Sequence, residues 1–140
     1  MGDGHHGWAA SEIVSAFRDS FLWEDEDSKE FRIFAGIRVD WFDADFKMTN
    51  IPTSAGNIDL KYKRTAERIT IKIKSALKKS LSINAKIIVP FKIRIISEGL
   101  ESSTNRFGET EIPLIINSRK TVIEAEVSNI YSYTTGPENN

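Results

Sequence analysis

The spacing of apolar residues changes once along the chain, and the change separates a helical segment from a strand-rich one. Between residues 9 and 22, apolar positions recur every three or four residues, with polar residues on the other side. This period is that of an amphipathic α-helix. We expect the helix to end in the acidic run Glu24-Asp25-Glu26-Asp27, because carboxylates near a helix C-terminus oppose the helix dipole. A turn should follow.

Beyond the acidic run the apolar period becomes two, which is typical of half-buried strands. Alternation is clearest at residues 58–62 and 69–73, which are joined by a short connection at Thr65-Ala66, and it predicts a hairpin with one face in the core. Pro90 and Pro113 should lie at strand ends or sheet edges, where a missing N–H costs little. The remaining strands are predicted at 31–33, 46–53, 85–89, 92–97, 112–116 and 121–127.

One helix followed by about eight strands predicts a mainly β fold, an antiparallel β-sandwich with one N-terminal α-helix. Isoleucine outnumbers leucine about threefold, and β-branched residues favour strands. The polar stretch 98–109 is interpreted as a loop or a long hairpin tip. By this pattern residues 1–28 form a loop and the helix, residues 29–131 form the sandwich, and residues 132–140 form a flexible tail.

Composition limits the classes of function. The 140 residues fit one domain with a single core. With 19 Lys and Arg against 20 Asp and Glu, the net charge of -1 gives no global field that attracts nucleic acid or an anionic membrane, so neither partner is predicted. The lack of cysteine excludes disulfides and thiol nucleophiles and suits a reducing compartment, so a cytoplasmic location is expected. Neither a membrane span nor a secretory signal is expected from the apolar pattern.

The two histidines, His5 and His6, are adjacent in a glycine-rich stretch. Adjacent side chains on an extended chain point in opposite directions, and no third histidine or cysteine completes a zinc site. Asp3 could add one ligand, but the set remains incomplete. The acidic run also lacks the glycine and the alternating spacing of a calcium loop. The sequence therefore predicts no metal ion and no cofactor.

Four lysines alternate with the apolar residues of the predicted hairpin: Lys61, Lys63, Lys72 and Lys74. They could bind phosphate groups. Nucleic-acid recognition on a sheet also needs aromatic side chains on the same face, and Tyr62 belongs to the opposite, apolar face. These lysines are therefore interpreted as a solvated face.

Trp23, Trp41 and Phe42 offer a different kind of site, because flat aromatic rings stack on the apolar faces of sugars. Aromatic residues of a small domain also pack in the core or at an interface, and the sequence leaves both interpretations open. The chain contains no nucleophile–base pair, phosphate-binding loop or dinucleotide motif. Nothing in the pattern therefore predicts that this chain alone is an enzyme.

The opening stretch Gly2-Asp3-Gly4-His5-His6-Gly7-Trp8-Ala9-Ala10-Ser11-Glu12 resembles the GDGHHGWAAAE segment of glycoside hydrolases built on an (α/α)6 toroid, among them the glycogen-debranching and family 65 relatives. Two later stretches are similar as well: residues 31–37, FRIFAGI, resemble LRLLPGIP, and residues 51–58, IPTSAGNI, resemble APTRFGPVS. In that family such a loop leads into the last helix of the toroid, which is followed by a C-terminal β-sandwich. The resemblance covers residues 1–75, and the rest of the chain only in pattern.

The resemblance implies that residues 1–28 are the last loop and helix of a toroid and that the chain is a non-catalytic C-terminal domain. Glycoside hydrolysis needs two carboxyl groups placed across the sugar. In similar enzymes these groups lie on toroid loops, and Asp3 is the one carboxylate of the matching loop. Asp3, His5, His6 and Trp8 either line the sugar cleft of an intact parent or only shape and support the loop.

The predicted helix is apolar over a wider arc than a surface helix requires, so it should pack on a partner. The expected partner is a helical toroid catalytic domain or subunit, or a second copy of this chain. On this hypothesis the sandwich supports or caps the catalytic domain of a carbohydrate-active protein. The alternative is a stand-alone carbohydrate-binding module that uses its exposed aromatic residues.

Overall fold

A computed structural model describes the backbone of residues 4–78, 81–117 and 119–128, and the side chains of these residues from Ala9 onward. Within these residues one α-helix precedes ten strands, and a 3-10 helix lies between the second strand and the third. The elements are α1 (Gly4–Phe21), β1 (Leu22–Asp25), β2 (Glu30–Ile33), the 3-10 helix (Val39–Asp43), β3 (Phe46–Thr53), β4 (Gly56–Arg64), β5 (Arg68–Leu77), β6 (Ile83–Val89), β7 (Ile93–Ile95), β8 (Ser103–Thr104), β9 (Thr110–Ile116) and β10 (Lys120–Val127).

The strands form two five-stranded sheets. Sheet I has the strand order β1-β2-β6-β9-β8, and sheet II has the order β3-β4-β5-β10-β7. Neighbouring strands are antiparallel except β2 and β6, which run parallel. Buried apolar residues of both sheets form one shared core. The predicted fold class, a mainly β antiparallel sandwich with one N-terminal helix, is confirmed.

The hairpin of β4 and β5 is the element that the alternating pattern predicted most clearly. The two strands pair over nine residues, from Gly56 opposite Leu77 to Arg64 opposite Ile69. At the turn, the N–H of Thr65 donates to the carbonyl of Arg68 at 2.8 Å, and the Thr65 hydroxyl accepts the N–H of Arg68 at 3.0 Å. The hairpin is therefore confirmed, and its apolar residues lie in the core as expected.

Tyr62 is the polar centre of an aromatic cluster inside the sandwich. Its side chain is fully buried, and its ring stacks on Phe46 with centroids 4.7 Å apart. Phe34 and Phe42 meet the same ring edge-on, at 6.3 Å and 5.2 Å. The Tyr62 hydroxyl donates to the carbonyl oxygen of Phe42 at 2.9 Å. This hydrogen bond satisfies both buried groups and fastens the 3-10 helix to sheet II.

Helix α1 begins and ends earlier than the predicted helix over residues 9–22. The described part of the opening stretch is helical rather than a loop, because it contains no proline and glycine tolerates helical backbone angles. At the C-terminal end, Phe34 donates its N–H to the carbonyl of Phe21 at 2.8 Å, and Gly36 donates to that of Ser20 at 3.2 Å. A Cβ at residue 36 would lie 2.8 Å from the Cα of Ser20, so this close approach requires glycine.

The prediction that the acidic run ends a helix is wrong. β1 contains the first two of these acidic residues and pairs with β2. The Asp25 carboxylate accepts the backbone N–H groups of Asp27 and Ser28, at 3.1 Å and 3.4 Å, and so closes the turn between the two strands. Leu22 fits the apolar period of the helix and also that of the strand, so the pattern did not separate them. Sheet I therefore begins inside the segment 1–28.

Pro90 and Pro113 lie, as predicted, at positions where the missing N–H breaks few hydrogen bonds of the sheets. Pro90 directly follows β6. Pro113 lies in β9 opposite Lys86, beyond the two residues of β9 that pair with β8, so one side of β9 carries no strand there among the described residues. The polar stretch 98–109 contains β8, which is too short to show a period. The predicted tail, residues 132–140, lies outside the described residues.

Candidate functional site

Helix α1 carries large apolar side chains that the sandwich does not cover. Ile13, Val14 and Phe17 are 69%, 68% and 49% exposed, and every residue from 9 to 17 is exposed. Phe17 follows Ile13 by four residues and Val14 by three, so its side chain adjoins both of them on one side of the helix. An exposed apolar patch of this kind is typical of an interaction surface.

The last turn of α1 anchors the helix to the sandwich. Phe21 is buried, and its ring meets that of Phe46 edge-on at 5.9 Å. Phe17 lies between the buried and the exposed parts of the helix, with its ring 5.3 Å from that of Phe21 and 6.1 Å from that of Trp41. These contacts fix the direction of the helix. Residues 13–17, which precede this anchor, lie beside β3 of sheet II.

A groove of about 480 Å³ runs between α1 and β3, and we call it the α1–β3 groove. Ile13, Val14 and Phe17 line its helical side, and residues 48–52 line its strand side. β3 is an edge strand of sheet II, and its pairing with β4 shifts register between Met48 and Ile51. The sequence did not reveal this second wall, because an irregularity within a strand leaves no regular apolar period.

Asn50 marks the irregular part of β3. Its φ of 54° is one that few residues other than glycine adopt, and asparagine tolerates it better than most. The N–H of Asn50 donates to the Asp59 carboxylate at 2.7 Å, which holds this conformation in place. Pro52, two residues further on, has no N–H to donate. The free edge of β3 is therefore poorly suited to pairing with a further strand.

The four residues predicted for the opening loop lie where the structure describes only the backbone or nothing. Asp3 lies outside the described residues. The backbones of His5, His6 and Trp8 belong to α1, and their side chains lie outside the described part. That these four residues line a sugar cleft in a larger protein stays a prediction. Among the side chains that are described, no three acidic or histidine side chains form a group that could hold a metal ion.

The three aromatic residues considered for sugar stacking lie in different environments. Phe42 is 1% exposed, because the 3-10 helix turns it into the aromatic cluster, so its ring cannot stack on a sugar and that part of the prediction is corrected. Trp41 is 40% exposed and packs against α1. Trp23 is 43% exposed on β1, with the guanidinium of Arg32 over its ring at 5.2 Å.

Trp23 lines a polar cleft of about 670 Å³ between the end of α1 and the β1–β2 turn. Most charged groups at this cleft are already paired. Arg18 bonds Asp19 at 2.6 Å, and the Glu24 carboxylate accepts the N–H of Ser54 at 3.0 Å. Hydrogen bonds from Ser28, with a smaller contribution from the Arg32 charge, hold the pKa of Asp25 below its usual range. These contacts favour the ionised form of the Asp25 carboxyl.

The outer face of sheet II carries lysines in register. Lys47, Lys61 and Lys72 lie directly opposite one another on β3, β4 and β5. Lys74 and Lys120 lie opposite each other one step along the same face. We call these five residues the lysine face. Tyr62 lies on the other side of the sheet, in the core, as the sequence predicted.

Comparison with known proteins returned no match to any family model, curated protein or solved structure. In the part of the chain that the structure describes, no helix is both long enough and apolar enough to span a membrane. The fold and the groove thus define a strand-built domain with an exposed helical arm.

Proposed function

We propose that this chain is a non-catalytic accessory β-sandwich domain of a glycoside hydrolase-like, carbohydrate-active protein. In this proposal it supports or caps a helical catalytic domain, and the α1–β3 groove is its docking surface. The observation that carries the proposal is the exposure of Ile13, Val14 and Phe17 on a helix whose position is fixed by its last turn. We also propose a cytoplasmic location, which the lack of cysteine supports.

The first half of α1 needs a partner for its own stability. Helices shorter than about 12–15 residues are marginal in water unless tertiary contacts stabilise them. Gly7 lowers the stability of the helix by about 1 kcal/mol relative to alanine. Residues 9–17 are exposed on the sandwich, so contacts within this chain do little to compensate. A partner that covers the apolar side of α1 would stabilise it.

The shape of the groove favours a helical partner over an extended one. A strand would have to pair with the edge of β3, where Asn50 and Pro52 interrupt the hydrogen-bonding ladder. A helix requires only side-chain packing, and the i, i+1, i+4 arrangement of Ile13, Val14 and Phe17 supplies a ridge for it. The resemblance of residues 1–12 to a toroid boundary points to the same kind of partner. We therefore propose a toroid domain as the occupant of the groove.

Two observations support a non-catalytic role for this chain. Glu24 is committed to the N–H of Ser54, and Asp25 to the turn between β1 and β2. Neither carboxylate is therefore available as the partner of a second one across a sugar. On the proposal, the catalytic carboxylates belong to the helical domain.

The test mixes the purified chain with an (α/α)6-toroid glycoside hydrolase domain that lacks its own sandwich and measures complex mass by size-exclusion chromatography with light scattering. We expect a one-to-one complex that Phe17→Ser weakens at least about tenfold, because the ring loses its apolar contact. Phe107→Ser, at an exposed phenylalanine away from the groove, is the matched control. No complex, a complex insensitive to Phe17→Ser, or only a homodimer through Phe17 would refute the proposal.

A stand-alone carbohydrate-binding module is the second candidate, and the exposure of Trp23 beside a polar cleft favours it. Glu26 and Lys29 line the same cleft and could bond sugar hydroxyls. Titration of neutral oligosaccharides, monitored by isothermal titration calorimetry, tests this role. Trp23→Ala should abolish the response while Trp41→Ala retains it, and equal responses in both variants would exclude Trp23 as the binding residue.

A further inference from the structure

The lysine face concentrates positive charge on a protein whose net charge is -1. The strand register places Lys47, Lys61 and Lys72 in one row, and neighbouring strands lie about 4.8 Å apart. Lys74 and Lys120 form the next row, together with Asp59 on β4. Five cations and one carboxylate therefore occupy two adjacent rows on the outer face of sheet II.

Asp59 is the one carboxylate among the described residues of these two rows, so most of the positive charge is not balanced within the face. The ion pairs found there involve none of the five lysines. One oxygen of Asp59 already accepts the N–H of Asn50. Like charges directly opposite each other on a sheet are destabilising. An anionic ligand would relieve this repulsion, so the lysine face is complementary in charge to an anion.

The chemistry of the face restricts the kind of anion. The groove between the lysines is about 180 Å³ and open, so it does not enclose a compact ligand. A folded protein partner needs an apolar centre, and Val122 is the exposed apolar side chain that the described part of this face offers. Single-stranded nucleic acid needs aromatic rings to stack on, and Phe46 and Tyr62 face the core. The kind of ligand that fits this face is therefore an extended anionic polymer that is bound by its charge.

We propose that the lysine face binds an acidic polysaccharide, a linear glycan that carries carboxylate or sulfate groups. The choice of a glycan over other polyanions rests on the proposed carbohydrate-active function. Lysine suits such a ligand because its ammonium group is a point charge on a flexible stem and can follow a polymer without fixed geometry. Basic patches of this type bind heparin-like polymers by the same physics.

The experiment titrates the full chain with polygalacturonate, which carries carboxylates, and with heparin, which carries sulfates. Duplex DNA and neutral dextran serve as comparison polymers. We expect binding to at least one acidic glycan that weakens at least about tenfold between about 50 and about 200 mM salt, because bound counterions are released. The double variant Lys61→Gln and Lys72→Gln should weaken it about tenfold more. The matched control, Lys92→Gln with Arg106→Gln, removes two exposed cations elsewhere and should leave the affinity unchanged.

Several results would overturn the inference: no binding to either acidic glycan, equal binding to dextran, equal loss in the control variant, or tighter binding to duplex DNA. Tighter binding to DNA would identify the face as a nucleic-acid surface instead. The Phe17→Ser variant should keep full affinity for the acidic glycan. If Phe17→Ser keeps this affinity, the two proposals can be tested separately. Phe17→Ser alters only the α1–β3 groove, and the double lysine variant alters only the lysine face.

Discussion

Replacing Tyr62 with phenylalanine tests the polar bond at the centre of the aromatic cluster. The substitution keeps the ring and its stacking on Phe46 but removes the hydroxyl that bonds the Phe42 carbonyl at 2.9 Å. That carbonyl then lies buried without this donor. An unsatisfied buried polar group costs about 1–3 kcal/mol, so we expect Tyr62→Phe to lower the free energy of unfolding by that amount at neutral pH.

The same phenol makes the stability depend on alkaline pH. Burial raises the pKa of Tyr62 from 10.0 to about 12, although the nearby Arg64 charge opposes this. Between these two values the folded state keeps a proton that the unfolded state loses, so stability falls as the pH rises through this window. The full difference corresponds to about 2.7 kcal/mol, of which about 2 kcal/mol is lost by about pH 11.5.

The assay is urea unfolding of both proteins at about pH 9 and about pH 11.5, followed by circular dichroism. The two proteins are identical at every other residue, so pH effects that do not involve residue 62 cancel in the difference between them. We expect the stability advantage of the native protein to shrink by about 2 kcal/mol at the higher pH. An advantage that stays constant between the two pH values would refute the claim that a protonated phenol is buried at this position.

Three further substitutions test other contacts. Gly36→Ala should lower stability by about 1–3 kcal/mol in thermal unfolding, because the new Cβ would lie 2.8 Å from the Cα of Ser20. An unchanged Tm would contradict the close approach of α1 to the segment that follows β2. Glu24→Ala should lower the free energy of unfolding by about 1 kcal/mol in a denaturant titration, because it removes the acceptor of the Ser54 N–H, whereas Glu101→Ala at an exposed position should change it by less than about 0.5 kcal/mol. Equal effects of the two substitutions would count against the hydrogen bond between Glu24 and Ser54. Thr65→Ala should speed hydrogen exchange at the Arg68 amide, and an unchanged rate would show that the threonine hydroxyl does not hold the turn.

Much of the fold could be predicted from the sequence because sheet II has one buried face. There the burial of every second residue, as in Ile58, Leu60 and Tyr62, imposes a period that the sequence records directly. β1 escaped prediction because it follows the helix without a break and its first residue, Leu22, fits both periods. The parallel pairing of β2 with β6 joins strands about fifty residues apart, and no local pattern encodes such a partner.

The candidate site could be predicted only on its helical side. The surplus of apolar residues on α1 indicated an unpaired surface, and the structure leaves Ile13, Val14 and Phe17 exposed. The strand wall depends on the register shift before Ile51, which the sequence does not show. Only part of the lysine face could be predicted from the sequence. The alternating pattern placed Lys61 and Lys72 on the solvent-exposed side of the hairpin, and the strand register of the structure adds Lys47 and Lys120 beside them.

The parallel pair of β2 and β6 also dictates an order of assembly. The strands β3, β4 and β5 follow one another and pair in sequence, so this meander can form as soon as it is synthesised. The N-terminal hairpin of β1 and β2 must wait until β6 arrives, because β6 is its link to the rest of sheet I. During that interval side-chain contacts such as Phe21 on Phe46 and Glu24 on Ser54 are what join α1 and this hairpin to the meander, and we expect this period to be the one in which a chaperone or an early partner binds α1.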